Sequence, residues 1–181
     1  LSHDDTSLAP AVDCLHGHSS PVVTATLSVR GFVDDWSHCQ HVADFLARFA
    51  ASDRYDPEQL TTRLATYLHE LLELVLRCHN GDGAAEGDVV VAVVRIADRL
   101  QLDVAVPVDA TSGERLRRSV RRAGADDPAA VYRAAFAATV AGDDDAGAGL
   151  LELVALHGVV FACRGDDDDD VLTLSLTVPH E

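Results

Sequence analysis

Three short stretches bring metal-ligating side-chain types close together. Cys14-x-His16-x-His18 and His38-Cys39-x-His41 offer the sulfur and nitrogen donors that zinc takes. Neither has the second closely spaced pair that would complete a zinc-finger pattern. On a helix His38 and His41 would share one face while Cys39 points toward the core. Cys78-His79 ends a long apolar-striped segment, where a histidine suits the negative end of the helix dipole. A cysteine–histidine nucleophilic dyad there has no supporting motif. Asp166 to Asp170 sets five carboxylates side by side. A calcium loop needs alternating ligands and a glycine turn, so this run reads as a solvated hairpin tip that also blunts a sheet edge. Arg115, Arg117, Arg118, Arg121 and Arg122 gather positive charge on one segment, able to meet an acidic partner, a phosphate or the acidic loops of the same chain.

Periodicity gives the elements that must carry these groups. Residues 1–20 have no clear period and are expected to form a flexible arm. Val22 to Val29 alternates, with Val23, Ala25, Leu27 and Val29 on one face and Thr24, Thr26 and Ser28 on the other, a half-buried strand. After Gly31, a cap at Asp34 or Asp35 opens a helix with the stripe Trp36, Cys39, Val42, Phe45, Leu46 and Phe49. Asp56-Pro57-Glu58 starts a second helix: a capping acid, proline at the first helical position, then an acid near the positive dipole end. Its apolar face is Leu60, Leu64, Tyr67, Leu68, Leu71, Leu72 and Val75, and Asn80-Gly81 stops it. A loop to Gly87 precedes a central strand, Val89 to Ile96, and Asp98-Arg99 turns into a strand over Leu102 to Val108. Helices follow at Ser112 to Ala123, from Asp127-Pro128 to Gly142, and, after an acidic, glycine-rich loop, at Leu150 to His157. Strands at Val159 to Arg164 and Val171 to Val178 close the chain. The order β-α-α-β-β-α-α-α-β-β predicts an α+β fold over residues 21–181: a two-layer α/β sandwich, with helices on one face of a mixed, mostly antiparallel sheet.

Composition narrows the chemistry. The chain has 181 residues, 48% of them apolar, which excludes a disordered polymer. Thirty acidic residues face 14 basic ones, all arginine, for a net charge of −16. Without lysine there is no P-loop ATPase and no Schiff-base enzyme. The acidity argues against nucleic acid as a partner, because phosphate binding needs a basic face, and serves solubility, salt adaptation or both. The polar first residues do not read as a signal peptide, and no apolar run approaches the ~20 residues of a membrane span. A cytoplasmic protein with reduced thiols at Cys14, Cys39, Cys78 and Cys163 is expected.

Three motifs, in order, carry a resemblance. His69-Glu70-Leu71-Leu72-Glu73-Leu74-Val75-Leu76-Arg77-Cys78 resembles the N-box helix of the GHKL superfamily, which includes gyrase, histidine kinases, the MutL proteins and the anti-sigma-factor serine kinases. That box reads E-x-x-x-N-x-x-K-H. Glu70 matches the glutamate, Leu74 stands for the asparagine, Arg77 for the lysine and Cys78 for the histidine. Asp109-Ala110-Thr111-Ser112-Gly113 resembles D-x-G-x-G, keeping the aspartate and the last glycine. Gly147-Ala148-Gly149-Leu150-Leu151-Glu152 resembles the first half of the G-x-G-L-G-L loop. From Asp127-Pro128 through Tyr132 to the Gly-Leu-Leu helix, the chain resembles SiaB-like regulators, small GHKL proteins of bacterial signalling. The resemblance spans about residues 22–178.

The resemblance implies a nucleotide between the N-box helix and the loop after it, with the glycine-rich loop on its phosphates. Glu70 would orient or activate the attacking group. Asp109 would accept from the adenine amino group, and Gly113 closes its motif. Gly147 and Gly149 would turn backbone N–H groups and a helix N-terminus to the phosphates, with Arg77 as a cation beside them. Leu74 cannot hold Mg²⁺, which wants oxygen ligands. Glu73, Asp82, Glu86, Asp143, Asp144 and Asp145 would repel phosphates. The expectation is therefore a signalling regulator with a degenerate ATPase-like domain, binding ATP or ADP weakly or not at all. No metal site is expected. It would act by docking a protein partner, an antagonist-type domain or a phosphatase, and could form a homodimer. One alternative is an active ATP-dependent serine/threonine kinase with Glu70 catalytic and its Mg²⁺ ligand moved elsewhere, Glu73 being the nearest oxygen donor but pointing about 100° from Leu74 on a helix; another is an acidic structural protein with no small-molecule ligand. Each motif also has a plain reading: Glu70 as a solvated residue beside a helix face, Asp109 as a turn residue, Gly147 and Gly149 as a loop before a helix.

Overall fold

Alternation along the β-branched segments produces one five-stranded sheet. The computed structural model describes residues 21–29, 37–53, 55–79, 87–97, 99–141, 147–165 and 170–179. The strands are β1 (Pro21–Ser28), β2 (Asp88–Ile96), β3 (Arg99–Pro107), β4 (Val160–Arg164) and β5 (Val171–Thr177). The helices are α1 (Ser37–Ala51), α2 (Pro57–His79), α3 (Ala110–Ala123), α4 (Pro128–Val140) and α5 (Ala148–His157). The strand order is β1-β2-β3-β5-β4, and every described pairing is antiparallel. The expected mixed sheet is thus corrected. β2 with β3 and β4 with β5 are hairpins, and β5 inserts between β3 and β4, so strands running the same way never meet. β3, not β2, is the middle strand.

Register sorts the side chains into two faces. Ala25, Val91, Val104, Leu174 and Cys163 lie in one row facing the helices and belong to the main core. The alternate row, Thr26, Val90, Ala105, Thr173 and Arg164, faces away. There Val90, Ala92, Val94 and Ala105 form a second, smaller apolar cluster. The architecture is a two-layer sandwich with all the described helices on one side.

α2 is the central helix. It is buried nearly all round: Leu74, Leu76, Cys78 and His79 are covered as well as the expected stripe, as befits a helix apolar on most faces. Gln59 N–H donates to Asp56 Oδ1 (3.2 Å) at the start that Asp56-Pro57 foretells. In α1 the expected stripe is corrected. Cys39, Ala43, Leu46, Ala47 and Ala50 are buried, whereas Phe45 is 63% and Phe49 53% exposed. The small residues let α1 lie close against α2, which turns both phenylalanines outward. Trp36 and the caps at Asp34 or Asp35, the 1–20 arm, Asn80-Gly81, Asp143 to Asp145 and Asp166 to Asp169 lie outside the described residues.

α4 starts at Pro128, with Ala130 N–H donating to Asp127 Oδ1 (2.9 Å). α5 ends where Gly158 takes the left-handed conformation (φ 63°), a backbone state that glycine enters without a Cβ clash. Phe136 of α4 is exposed, whereas its neighbour Ala135 enters the core. None of the described helices is long and apolar enough to cross a membrane. Cys39, Cys78 and Cys163 are unpaired thiols.

Candidate functional site

α2 brings its polar groups out along one stripe. A residue advances 100° on a helix, so His69, Glu70, Glu73 and Arg77 share a face. Arg77 Nε donates to Glu73 Oε1 at 2.9 Å, and its Nη2 lies 2.6 Å from the same oxygen. The second Glu73 oxygen, Oε2, faces His69 Nε2 at 3.6 Å. The cation that the resemblance would place on phosphates is therefore engaged with a neighbouring carboxylate.

Glu70 and the glycine-rich turn come together. The Glu70 carboxyl packs onto the first turn of α5, so closely that a Cβ on Gly149 would overlap Glu70 Oε2. Gly147 is the N-cap of α5 and provides no side-chain cap. Burial pushes the Glu70 carboxyl up to about 7; the negative charges of Glu73 and Glu152 add to this, and Arg77 offsets part of it. Tyr67 of α2 stacks edge-on with His157 of α5 (centroids 5.8 Å apart), fixing the two helices against each other. Leu74 sits one turn beyond Glu70, rotated about 40°. It is 3% exposed and belongs to the main core.

Asp109 and Gly113 form a separate constellation. Asp109 is the N-cap of α3, which begins at Ala110 rather than Ser112. Its Oδ1 accepts from the Thr111 and Ser112 amides (both 2.7 Å) and from the Ser112 hydroxyl (3.1 Å), while Ser112 Oγ accepts from the Asp109 amide (3.0 Å). This capping box holds Asp109 below the usual carboxylate range, chiefly through the Ser112 amide. Gly113 is buried in the first turn of α3, where a Cβ would meet Arg117 and Val108 at 3.2–3.5 Å. Asp109 lies within electrostatic reach of His79, at the far end of α2 from Glu70, about 13 Å along the helix at 1.5 Å per residue.

The other candidates do not assemble. Cys39 is wholly buried while His38 and His41 are exposed, so His38-Cys39-x-His41 has no common focus. Cys14, His16 and His18 lie outside the described residues. His79 packs Nδ1 against the Val75 carbonyl and Nε2 against the Pro107 carbonyl, both at 2.7 Å. It ties α2 to β3 and has no nitrogen left to activate Cys78, whose thiol burial raises to about 11. In α3, Glu114 Oε1 meets Arg121 at 2.7 Å and Arg118 at 4.0 Å, so part of the basic segment pairs within its own helix.

From sequence, Glu73 counts as a repelling charge and as the nearest oxygen donor to Leu74, pointing about 100° away from it on the helix, and His69 has no role. The spacing His69-Glu70-x-x-Glu73 is the signal that joins them. A groove of about 340 Å³ between α1 and α2 has no counterpart in the sequence reading; Gln40, Asp44, Arg48, Thr62, Thr66 and His69 line it.

Fold and site together define an α+β two-layer sandwich whose central helix meets a glycine-started helix through a carboxylate. No family model and no curated protein matches the chain. Among solved structures it is similar to a chain of the SiaB–SiaC complex from Pseudomonas aeruginosa, with 18% identity and a TM-score of 0.58 over 97% of this chain and 99% of that one. At that identity the likeness establishes the fold.

Proposed function

We propose that this protein is a bacterial signalling regulator that works by binding a partner protein through a degenerate ATPase-like domain. The observation that carries this reading is the contact of Glu70 with Gly149. In the arrangement the motifs imply, phosphates would lie between the N-box helix and the glycine-rich turn. Here the Glu70 carboxyl packs on that turn, leaving its Gly149 no room for even a Cβ. Leu74 in the core, Arg77 on Glu73 and Asp109 within its cap support the same conclusion. The similar solved chain comes from a two-protein complex, which supports a protein partner. The resemblance to anti-sigma-type regulators points to an antagonist-type domain or a phosphatase. On this reading the protein acts in the cytoplasm, binds ATP or ADP weakly or not at all, and is able to pair with a second copy.

One observation favours an active kinase as a second reading. A carboxyl with a pKa of about 7 is well matched to general-base work at neutral pH. Calorimetric titration with ATP and ADP, with and without Mg²⁺, separates the two, run beside a radiolabel transfer assay on antagonist-type and phosphatase candidates. Partner capture without nucleotide, and no heat at millimolar nucleotide, is the expected result. Mg²⁺-dependent binding with label transferred to the partner would overturn it in favour of the kinase. Failure of both capture and nucleotide binding would leave an acidic structural protein.

A further inference from the structure

The stripe on α2 holds more ligand chemistry than the nucleotide motifs use. His69, Glu70 and Glu73 each offer one donor atom, and these three atoms lie within 4.8 Å of one another. On the helix, residue 73 is rotated about 40° from residue 69 and 60° from residue 70, so the three side chains converge. We propose that His69, Glu70 and Glu73 bind a first-row transition-metal dication of the zinc or manganese type.

The donors decide the class of ion. One imidazole nitrogen with two carboxylates suits zinc, manganese, iron or cobalt, whereas magnesium and calcium prefer oxygen alone. Two carboxylates and a neutral imidazole carry the charge that a dication offsets. His69 Nε2 and Glu73 Oε2 stand 3.6 Å apart. That is too long for a hydrogen bond, and close to the roughly 3.4 Å between two donors on one tetrahedral ion at about 2.1 Å.

The two carboxylate ligands are held from outside the cluster. Arg77 holds Glu73 by Oε1 and so turns Oε2 toward His69, the orienting role that outer partners of metal ligands take. Glu70 is confined by the first turn of α5 at Gly149. The ring of His69 has no such support: with Nε2 facing Glu73 Oε2, its Nδ1 is buried with no hydrogen-bond partner. His69 and Glu73 side chains are 23% and 20% exposed, enough for an ion to arrive and little enough to hold it out of bulk water. His69 also lines the groove between α1 and α2. Three protein ligands leave a coordination position to fill from that side.

The test is direct. The chelator-treated full chain is titrated calorimetrically with ZnCl₂ and MnCl₂ near neutral pH. One equivalent is expected to bind, at least about tenfold more weakly in His69→Ala and in Glu73→Gln, and unchanged in the control His38→Ala. The cobalt complex of the unaltered protein gives a readout that does not depend on how the variants fold. Its visible spectrum should show ligand-field bands without thiolate charge transfer. No binding at millimolar metal, unchanged affinity in both variants, or a thiolate band that moves the metal to the cysteines would each overturn the proposal. ATP is absent throughout, so the outcome is independent of the nucleotide question.

Discussion

Glu70→Gln is expected to stabilise the protein at pH 8 and to lose that advantage as the pH falls. The Glu70 carboxyl is raised from 4.5 to about 7 by burial and by the charges of Glu73 and Glu152. A tenfold change in proton affinity is worth about 1.4 kcal/mol between the two protonation states, so the full displacement amounts to roughly 3 kcal/mol. Glu70 is only partly covered, and solvent screening reduces this to about 1–2 kcal/mol. The sign follows from proton binding. Below pH 4.5 the carboxyl is protonated in both the folded and the unfolded chain, and folding carries no charge penalty there. As the pH rises through about 7, the unfolded chain ionises first, so the folded state loses stability. Glutamine keeps the shape and cannot ionise, so the variant escapes that loss. Urea unfolding of both proteins at several pH values between 5 and 8 reads the difference, with equal m-values showing that the unfolded state is unchanged. A gap that does not vary with pH, or that widens toward acid, would refute the argument that Glu70 is desolvated beside α5.

Gly149→Ala should expel the Glu70 carboxyl, since the new methyl overlaps it. The substitution should cost about 1 kcal/mol alone and turn into a gain of up to about 1 kcal/mol in a Glu70→Ala background, where only helix propensity remains; a double-mutant cycle with no coupling would sink this. Leu74→Asn should destabilise by about 3 kcal/mol or more, because it opens space and buries an amide in the core, and titration should show no Mg²⁺-ATP binding gained. Asp109→Ala should cost about 1–2 kcal/mol by removing the α3 cap, most of it recovered in Asp109→Asn, both read by urea unfolding. Ala97, in the turn between β2 and β3, has φ 54°, so Ala97→Gly should raise the urea midpoint by an amount equal to roughly 0.5–1 kcal/mol.

The elements are legible in the sequence because their signals are local. Asp56-Pro57 and Asp127-Pro128 fix two helix starts, Gly124 and Gly158 two ends, and β-branched runs the strands. The mostly antiparallel sheet is legible too; that no described pair runs parallel is not, since it depends on which strand inserts beside β3, a matter of three-dimensional packing. The α1 stripe misleads because phenylalanine outweighs alanine in any hydrophobicity reading. A close helix crossing instead selects Ala43, Ala47 and Ala50. In the site, the motifs resemble those that flank a nucleotide, whereas the structure packs Glu70 directly on Gly149, a contact the sequence does not announce. Asp109 is open to two readings, and its residue types supply the deciding clue: Asp followed three positions later by Ser is also a helix start. His69 escapes notice, and Glu73 is weighed only as a repelling charge or a displaced Mg²⁺ donor, because each is set against a nucleotide motif rather than against its neighbour.

Burial of α2 limits where this protein can do chemistry on that helix. Its other faces go to the core, so ligand contact is left to the stripe from Thr62 and Thr66 through His69, Glu70 and Glu73 to Arg77. A nucleotide would need α5 to move off Glu70, because the phosphates and the carboxyl compete for one place. A dication needs no such movement, since its donors already face one another beside an open groove. The proposed partner docking needs neither. The three candidate activities therefore respond differently to one change. Gly149→Ala would move Glu70 and disturb the metal site, would leave Arg77 on Glu73, and would leave the exposed faces of α1 and α4 as they are. A loss of metal binding with partner capture intact would separate the proposed site on α2 from the proposed binding role. Loss of both together would mean that the partner itself reads the α2 stripe.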